Sequence, residues 1–232
     1  ATVYSVDSPP EDTPGGTGYV ATIHDDSRVI EGSSGGWGKF PDVFDPSFKA
    51  VLLKEVALHR GKAVGDPWCL GYFPGNELSW GGDETALGRA ALASPADQPA
   101  KRALVDQLKA KYETIERLNA AWKSSYASWD ALLESTTPPG ADSGREDLAA
   151  FLTSVADAYF RQCREAVKEI DPEGLYLGCR FAGWSHGTVF RTAAKYSDVI
   201  SVNRYTETLD DLRLPDGIDK PVVIGEWHFG AL

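Results

Sequence analysis

Four short apolar runs constrain this chain more than any other feature. They are Pro67 to Phe73 (PWCLGYF), Leu175 to Cys179 (LYLGC), Asp198 to Val202 (DVISV) and Pro221 to Ile224 (PVVI). Each has strand length, and the first is apolar without alternation. An alternating strand buries one face, whereas a continuous apolar run buries both, as in a parallel sheet covered by helices. Two weaker runs, Thr2 to Val6 and Gly18 to His24, precede them. Helical patterns fill the intervals. Asp45-Pro46 supplies an N-cap and a first-turn proline, and Phe48, Val51, Leu52, Val56 and Leu58 carry a helix to about Arg60, where Gly61 and Gly65 end it. Residues 83–137 are mostly helical. Arg145 to Ile170 is amphipathic, with a stripe of Leu148, Phe151, Leu152, Val155, Tyr159, Cys163, Ala166, Val167 and Ile170. Gly187 to Tyr196 is a further helix. Strand and helix alternating in this way predict an α/β fold with a parallel sheet. Asp25 to Phe44, with SSGGWG at its middle, reads as a long loop, and loops of that length are usually functional or mobile.

Composition removes several classes of function. The 34 acidic against 23 basic residues leave a formal charge of -11, which argues against nucleic acid and against an anionic membrane surface as partners. No apolar run approaches 18 residues, so no membrane insertion is expected. No Gly-rich phosphate loop follows any strand, which takes the main support from nucleotide folds. Cys69, Cys163 and Cys179 are far apart and odd in number, and read as free, buried thiols rather than a metal site. Aromatic residues make up 11% of the chain, and several stand beside Gly, Asn, Glu and His, as in a cleft whose ring faces stack on sugars. An ordinary core accounts for such a content equally well.

The reactive side chains collect where the apolar runs end. Asn76 and Glu77 follow the first of the four, Arg180 the second, Asn203 and Tyr205 the third, Glu226 and His228 the last. Parallel strands gather their C-terminal ends at one mouth, where such barrels keep their active sites. Two carboxylates placed there are the minimum for cleaving a glycosidic bond. One is held protonated to donate to the leaving oxygen, and the other stays ionised.

At this point a resemblance becomes specific. LGYFPGNELSWG, IGEWHFGA, KYETIERLNAAWKSSYASWD and FPDVFDPSF, in that set, resemble the β-agarase and β-galactosidase-like branch of the retaining (β/α)8-barrel glycosidases, over about residues 35–232. The resemblance implies an incomplete (β/α)8 TIM barrel holding about strands three to seven. It makes residues 1–232 one catalytic domain, with 83–140 a helical insertion after the fourth strand. Glu77 matches the acid/base and Glu226 the nucleophile. Asn76 matches the residue that holds the sugar 2-hydroxyl, and Tyr205 the one that donates a hydroxyl to the nucleophile. His228, Arg180, Trp184, His186 and Asn203 are candidate substrate contacts, and Trp80, Trp227 and Trp37 candidate stacking platforms. For each of these, plain structural packing is the competing account. The Pro74-Gly75 lead-in departs from the acidic or amide-bearing one expected of agarases. The arginine that the clan carries on its second strand has no equivalent, and Arg204 has no assigned part.

The implied activity is double displacement on β-linked, galactose-containing polysaccharide, without a cofactor and without a metal. Retention predicts carboxyl groups roughly 5–5.5 Å apart. Two rival expectations stand beside it: a non-catalytic carbohydrate-binding barrel fragment, and a metal-dependent hydrolase using His24, Asp25 and Asp26. The absence of Met, with too few strands for eight, predicts a piece of a longer chain or a processed form.

Overall fold

A computed structural model describes residues 4–6, 18–23, 25–36, 38–140, 142–182 and 185–227. The chain divides into two compact units, one formed by residues 1–26, 49–78 and 156–232, the other by 27–48 and 79–155.

The first unit holds the strands. β1 (Tyr4–Val6), β2 (Tyr19–Ile23) and β3 (Cys69–Pro74) form one parallel sheet in that order. β4 (Phe181–Ala182), β5 (Ile200–Asn203) and β6 (Val222–Glu226) form another, also parallel. The two are joined where Tyr72 of β3 makes a parallel bridge with Tyr176. The expected strand Leu175 to Cys179 is thus a single bridge, and the ladder resumes only at Phe181. Left-handed backbone at Gly178 (φ 87°) and Arg180 (φ 44°) breaks the extended run, because a ladder needs uninterrupted β geometry. β6 also runs further than its apolar letters suggest: Glu226 is its last residue rather than the residue after it. Val20 of β2, Phe73 of β3, Leu177 and Val199 pack together, with Val223 of β6 against them.

Helices cover these strands. α1 (Pro46–Ala57) begins as its sequence dictates: Asp45 Oδ1 accepts from the Ser47 N–H at 2.8 Å, and Pro46 fills the position that needs no donor. The long helix, Arg145–Ile170, buries the stripe read from its sequence, except that Ile170 is only half-buried. Near its C-terminus Lys168 donates to the carbonyls of Pro172 and Gly174, satisfying oxygens that the helix and the turn after it leave open. Cys163 and Cys179 are fully buried cysteines of this unit, and Cys69 is half-buried.

In the second unit the helical stretch is four short helices, α2 (Ala86–Ala93), α3 (Pro99–Tyr112), α4 (Ile115–Trp122) and α5 (Trp129–Glu134), preceding the long helix, here α6. Two buried charges organise them. Lys101, 0% exposed, donates to the carbonyls of Ser94 and Ser135, the C-caps of α2 and α5, and burial pulls its ammonium below the ordinary lysine value. Asp147 accepts from Trp122 Nε1 (2.7 Å), Tyr112 Oη (2.8 Å) and Lys111 Nζ (2.5 Å). Part of the long loop is packed, around Ile30, Ser33 and residues 40–43, while residues such as Ser34, Gly35 and Lys39 are exposed. Asp42 is fully buried and accepts from Gln98 Nε2 and the Ala100 N–H, while Phe40 meets Trp80 edge-on with ring centroids 4.8 Å apart. Trp37, at its tip, lies outside the described residues.

Candidate functional site

The site is assembled within the first unit, at the C-terminal ends of β3, β5 and β6. Its construction starts below it, with Tyr159 of α6, whose hydroxyl donates to the Pro74 carbonyl at 2.6 Å. The backbone then turns sharply at Gly75, where φ is 74° and a Cβ would lie 2.7 Å from that same hydroxyl. Only glycine meets both conditions at no steric cost. This gives the Pro74-Gly75 lead-in a local reason: it lets the chain pass over α6 and deliver Asn76 and Glu77.

Glu77 is itself left-handed, with φ 52°. Four non-glycine residues adopt positive φ among the described residues. Lys123 does so as the left-handed C-cap of α4, a common helix ending, and Glu113 at the C-cap of α3. The other two, Glu77 and Arg180, belong to this site, and strained backbone of this kind costs of order 1–3 kcal/mol each and persists only where the surroundings impose it. Here they do. The Glu77 N–H is shared between the carbonyls of Cys179 and Arg180, each at 3.2 Å, and the Arg180 N–H donates to Ser201 Oγ at 3.0 Å.

The side chains complete the arrangement. Glu77 is buried, and its Oε1 accepts from Asn203 Nδ2 at 2.7 Å. Asn203 stands opposite Glu226 in the β5–β6 ladder. One residue therefore bonds the first carboxylate and is the strand partner of the second. Glu226 is engaged on both oxygens: Arg180 Nη1 forms an ion pair with Oε1 at 3.4 Å, and the Tyr205 hydroxyl donates a hydrogen bond to Oε2. That contact raises the Tyr205 hydroxyl to about 12, with burial and the charges of Glu226 and Glu77 adding to it and Arg180 opposing. Arg180 is 6% exposed and lies over the Phe73 ring. Gly225 leaves room for these groups to converge, since a Cβ there would stand 2.6 Å from Arg180 Cδ and 2.8 Å from Asn203 Oδ1.

Two acceptors remain open. Asn76 Oδ1 and Asn203 Oδ1 are buried without a hydrogen-bond partner among the described residues. A buried acceptor costs free energy until a donor reaches it, so both are suited to hydroxyl groups brought by a ligand.

The remaining candidates fall in different places. Trp227 is 58% exposed just beyond β6, whereas Trp80 is 4% exposed in the second unit, where packing on Phe40 leaves little ring to offer a sugar. His186 starts α7 (Gly187–Tyr196) through its backbone carbonyl, which accepts from Val189 and Phe190. Trp184, His228 and His24 lie outside the described residues. Among the described residues no three His, Cys, Asp or Glu side chains are grouped to hold a metal ion, and no helix is long and apolar enough to cross a membrane. Sequence reasoning offered Arg180 and Asn203 as substrate contacts; the structure sets Arg180 against Glu226 and Asn203 Nδ2 on Glu77, leaving Asn203 Oδ1 open. The available signal was Gly225: a glycine immediately before a candidate carboxylate marks a close approach.

No family model matches the chain. It is homologous to β-agarases. β-Agarase B of Vibrio sp. (strain JT0107) is 35% identical over 92% of this chain, which spans 24% of that protein. The solved structure of an exo-β-agarase aligns with a TM-score of 0.81 at 34% identity, over 92% of this chain and 31% of the other. A β-galactosidase from Rahnella sp. R3 shares the fold alone, with a TM-score of 0.57 and 18% identity over 88% of this chain and 35% of the other.

Proposed function

We propose that this chain, a homologue of β-agarases spanning about a quarter of their length, carries the catalytic carboxylates of a retaining glycosidase acting on β-linked galactose in agarose-type polysaccharide. Its parallel strands belong to the wall of a (β/α)8 barrel, and residues 83–140 are the insertion after the strand that bears Glu77. The observation that carries the reading is the environment of the two glutamates. They approach from β3 and β6 to either side of Asn203, which bonds one and pairs with the other.

In the first step Glu226 attacks the anomeric carbon. The Tyr205 hydroxyl donates to one of its oxygens and the Arg180 guanidinium is ion-paired with the other, stabilising the negative charge and fixing the carboxylate plane. Glu77 gives its proton to the departing glycosidic oxygen, so the sugar–oxygen bond breaks as the sugar–Glu226 ester forms. With Oε1 held by Asn203, the other oxygen is left for the proton. In the second step Glu77 takes a proton from water, whose oxygen displaces Glu226 and releases the sugar with its original stereochemistry. Carboxyl groups about 5–5.5 Å apart are part of this proposal. Asn76 and Asn203, with their open acceptors, receive sugar hydroxyls, and Trp227 offers a stacking face.

The test is a substrate panel of agarose, porphyran, lactose and aryl β-galactosides read against two variants. Glu77→Gln abolishes polysaccharide cleavage but spares the first step on aryl glycosides with good leaving groups, which need no acid. Glu226→Gln abolishes both. Undiminished turnover by Glu226→Gln sinks the proposal, and binding without turnover by the unaltered chain favours a non-catalytic carbohydrate-binding role.

A further inference from the structure

Arg204 has no part in the chemistry above, yet it joins the β5–β6 ladder to the turn beyond it. Its backbone N–H donates to the Glu226 carbonyl at 2.9 Å. Its Nη2 lies 2.7 Å from each carboxyl oxygen of Asp211. The Arg204 side chain is 18% exposed against 73% for Asp211, so the guanidinium is tucked inward and the carboxylate comes to it from solvent. The guanidinium holds the Asp211 carboxyl below its ordinary value. Between these ends Tyr205 to Asp210 are all exposed. Local bonds shape the turn, from Thr206 Oγ1 to the Thr208 carbonyl and from the Leu212 N–H to the Leu209 carbonyl. An exposed turn of this kind is not fixed by apolar packing. Tyr205 is itself 50% exposed, so the reach of its hydroxyl depends on where the turn sets its backbone.

We infer that the Arg204–Asp211 pair is a clamp that closes the turn 204–211 and thereby holds the Tyr205 hydroxyl on Glu226. Arg204 and Asp211 are positioning residues that act through Tyr205. The catalytic consequence rests on Glu226 being the nucleophile; the clamp itself is a statement about one hydrogen bond.

The test is NMR of the chain labelled at tyrosine 13Cζ, with Tyr205→Phe to assign the signal and Glu226→Ala as the control that removes the acceptor. Glu226, Glu77 and Arg180 are the charged groups that set the Tyr205 titration. Asp211→Asn, at a residue too exposed to unfold the chain, returns it toward the free value of about 10. Asp211→Glu keeps it high, and salt of about 1 M acts on the unaltered chain in the direction of Asp211→Asn by screening the pair. At neutral pH the same 13C shift reads the hydrogen bond directly, without alkaline exposure. In turnover, Asp211→Asn lowers kcat rather than raising KM. The inference is overturned if Asp211→Asn and Arg204→Lys both leave the Tyr205 signal where the unaltered chain has it. Normal turnover by Glu226→Gln would instead remove the glycosidase reading and leave the clamp standing.

Discussion

Gly225→Ala adds one methyl group at the point where the supports of both carboxylates meet. The new carbon would lie 2.6 Å from Arg180 Cδ, 2.9 Å from Arg180 Cγ and 2.8 Å from Asn203 Oδ1. Reaching an ordinary 3.4 Å requires the Arg180 stem to retreat by about 0.8 Å from its 2.6 Å contact. The Arg180 atoms are mid-chain in a residue 6% exposed, and the Asn203 oxygen belongs to a residue 2% exposed, so neither can swing into solvent. Overpacking of this kind costs about 1–3 kcal/mol of stability. The functional loss is larger, because Arg180 holds Glu226 and Asn203 holds Glu77. Misplacing catalytic groups by about 1 Å costs on the order of a hundredfold in rate. Urea denaturation measures the first quantity and kcat/KM on an aryl β-galactoside the second. Gly82→Ala, where a Cβ meets nothing within 4 Å, is the control. A Gly225→Ala chain as stable and as active as the Gly82→Ala chain refutes the convergence argued here.

Two further perturbations probe the rest of the molecule. Asp147→Ala strips the acceptor from the buried indole of Trp122 and from Tyr112, and is expected to destabilise by about 2–4 kcal/mol in urea denaturation. Asp83 has its carboxyl held below the ordinary value by hydrogen bonds from the Thr85 hydroxyl and backbone N–H. Its contribution to stability is therefore complete above the unfolded value of about 4 and is lost as pH falls through the lower folded value. Thermal melts of Asp83→Ala and the unaltered chain should differ at pH 6 and converge at about pH 2; a constant gap removes the linkage.

Much of the helical architecture was legible because its signals are local. The α6 limits follow from an uninterrupted 3.6-residue stripe ended by Asp171-Pro172, and those of α7 from its flanking turns. The stretch 83–137 reads as mostly helical without marking its breaks, which fall at Pro95, at Glu113 and after Lys123, where a proline and two left-handed residues interrupt it. The strands were legible as apolar runs but not in their ends. β6 reaches Glu226 because hydrogen bonding to β5 continues past the last apolar letter. The run LYLGC lost its ladder to backbone signs at Gly178 and Arg180 that residue types do not encode. The same limit governs the site. Position after a strand pointed to Glu77, Glu226, Arg180, Asn203 and Tyr205. Which of them touch depends on φ at Glu77 and Arg180 and on the space at Gly225. Trp80 was misjudged as an open platform for a related reason: the ring that buries it, Phe40, is distant in sequence.

The buried nucleophiles of the fold are sorted by unit. Cys163 and Cys179 lie sealed in the first, Lys101 in the second. Neither a thiol reagent nor an amine acylating agent reaches these groups while the chain is folded, so each modification becomes a clock for the opening of its own unit. Peptide mass mapping of one sample pulsed with both reagents would separate the two clocks. A polysaccharide ligand seated on Glu77 and Glu226 should slow the thiol clock, because ligand binding draws down the population in which the first unit is open.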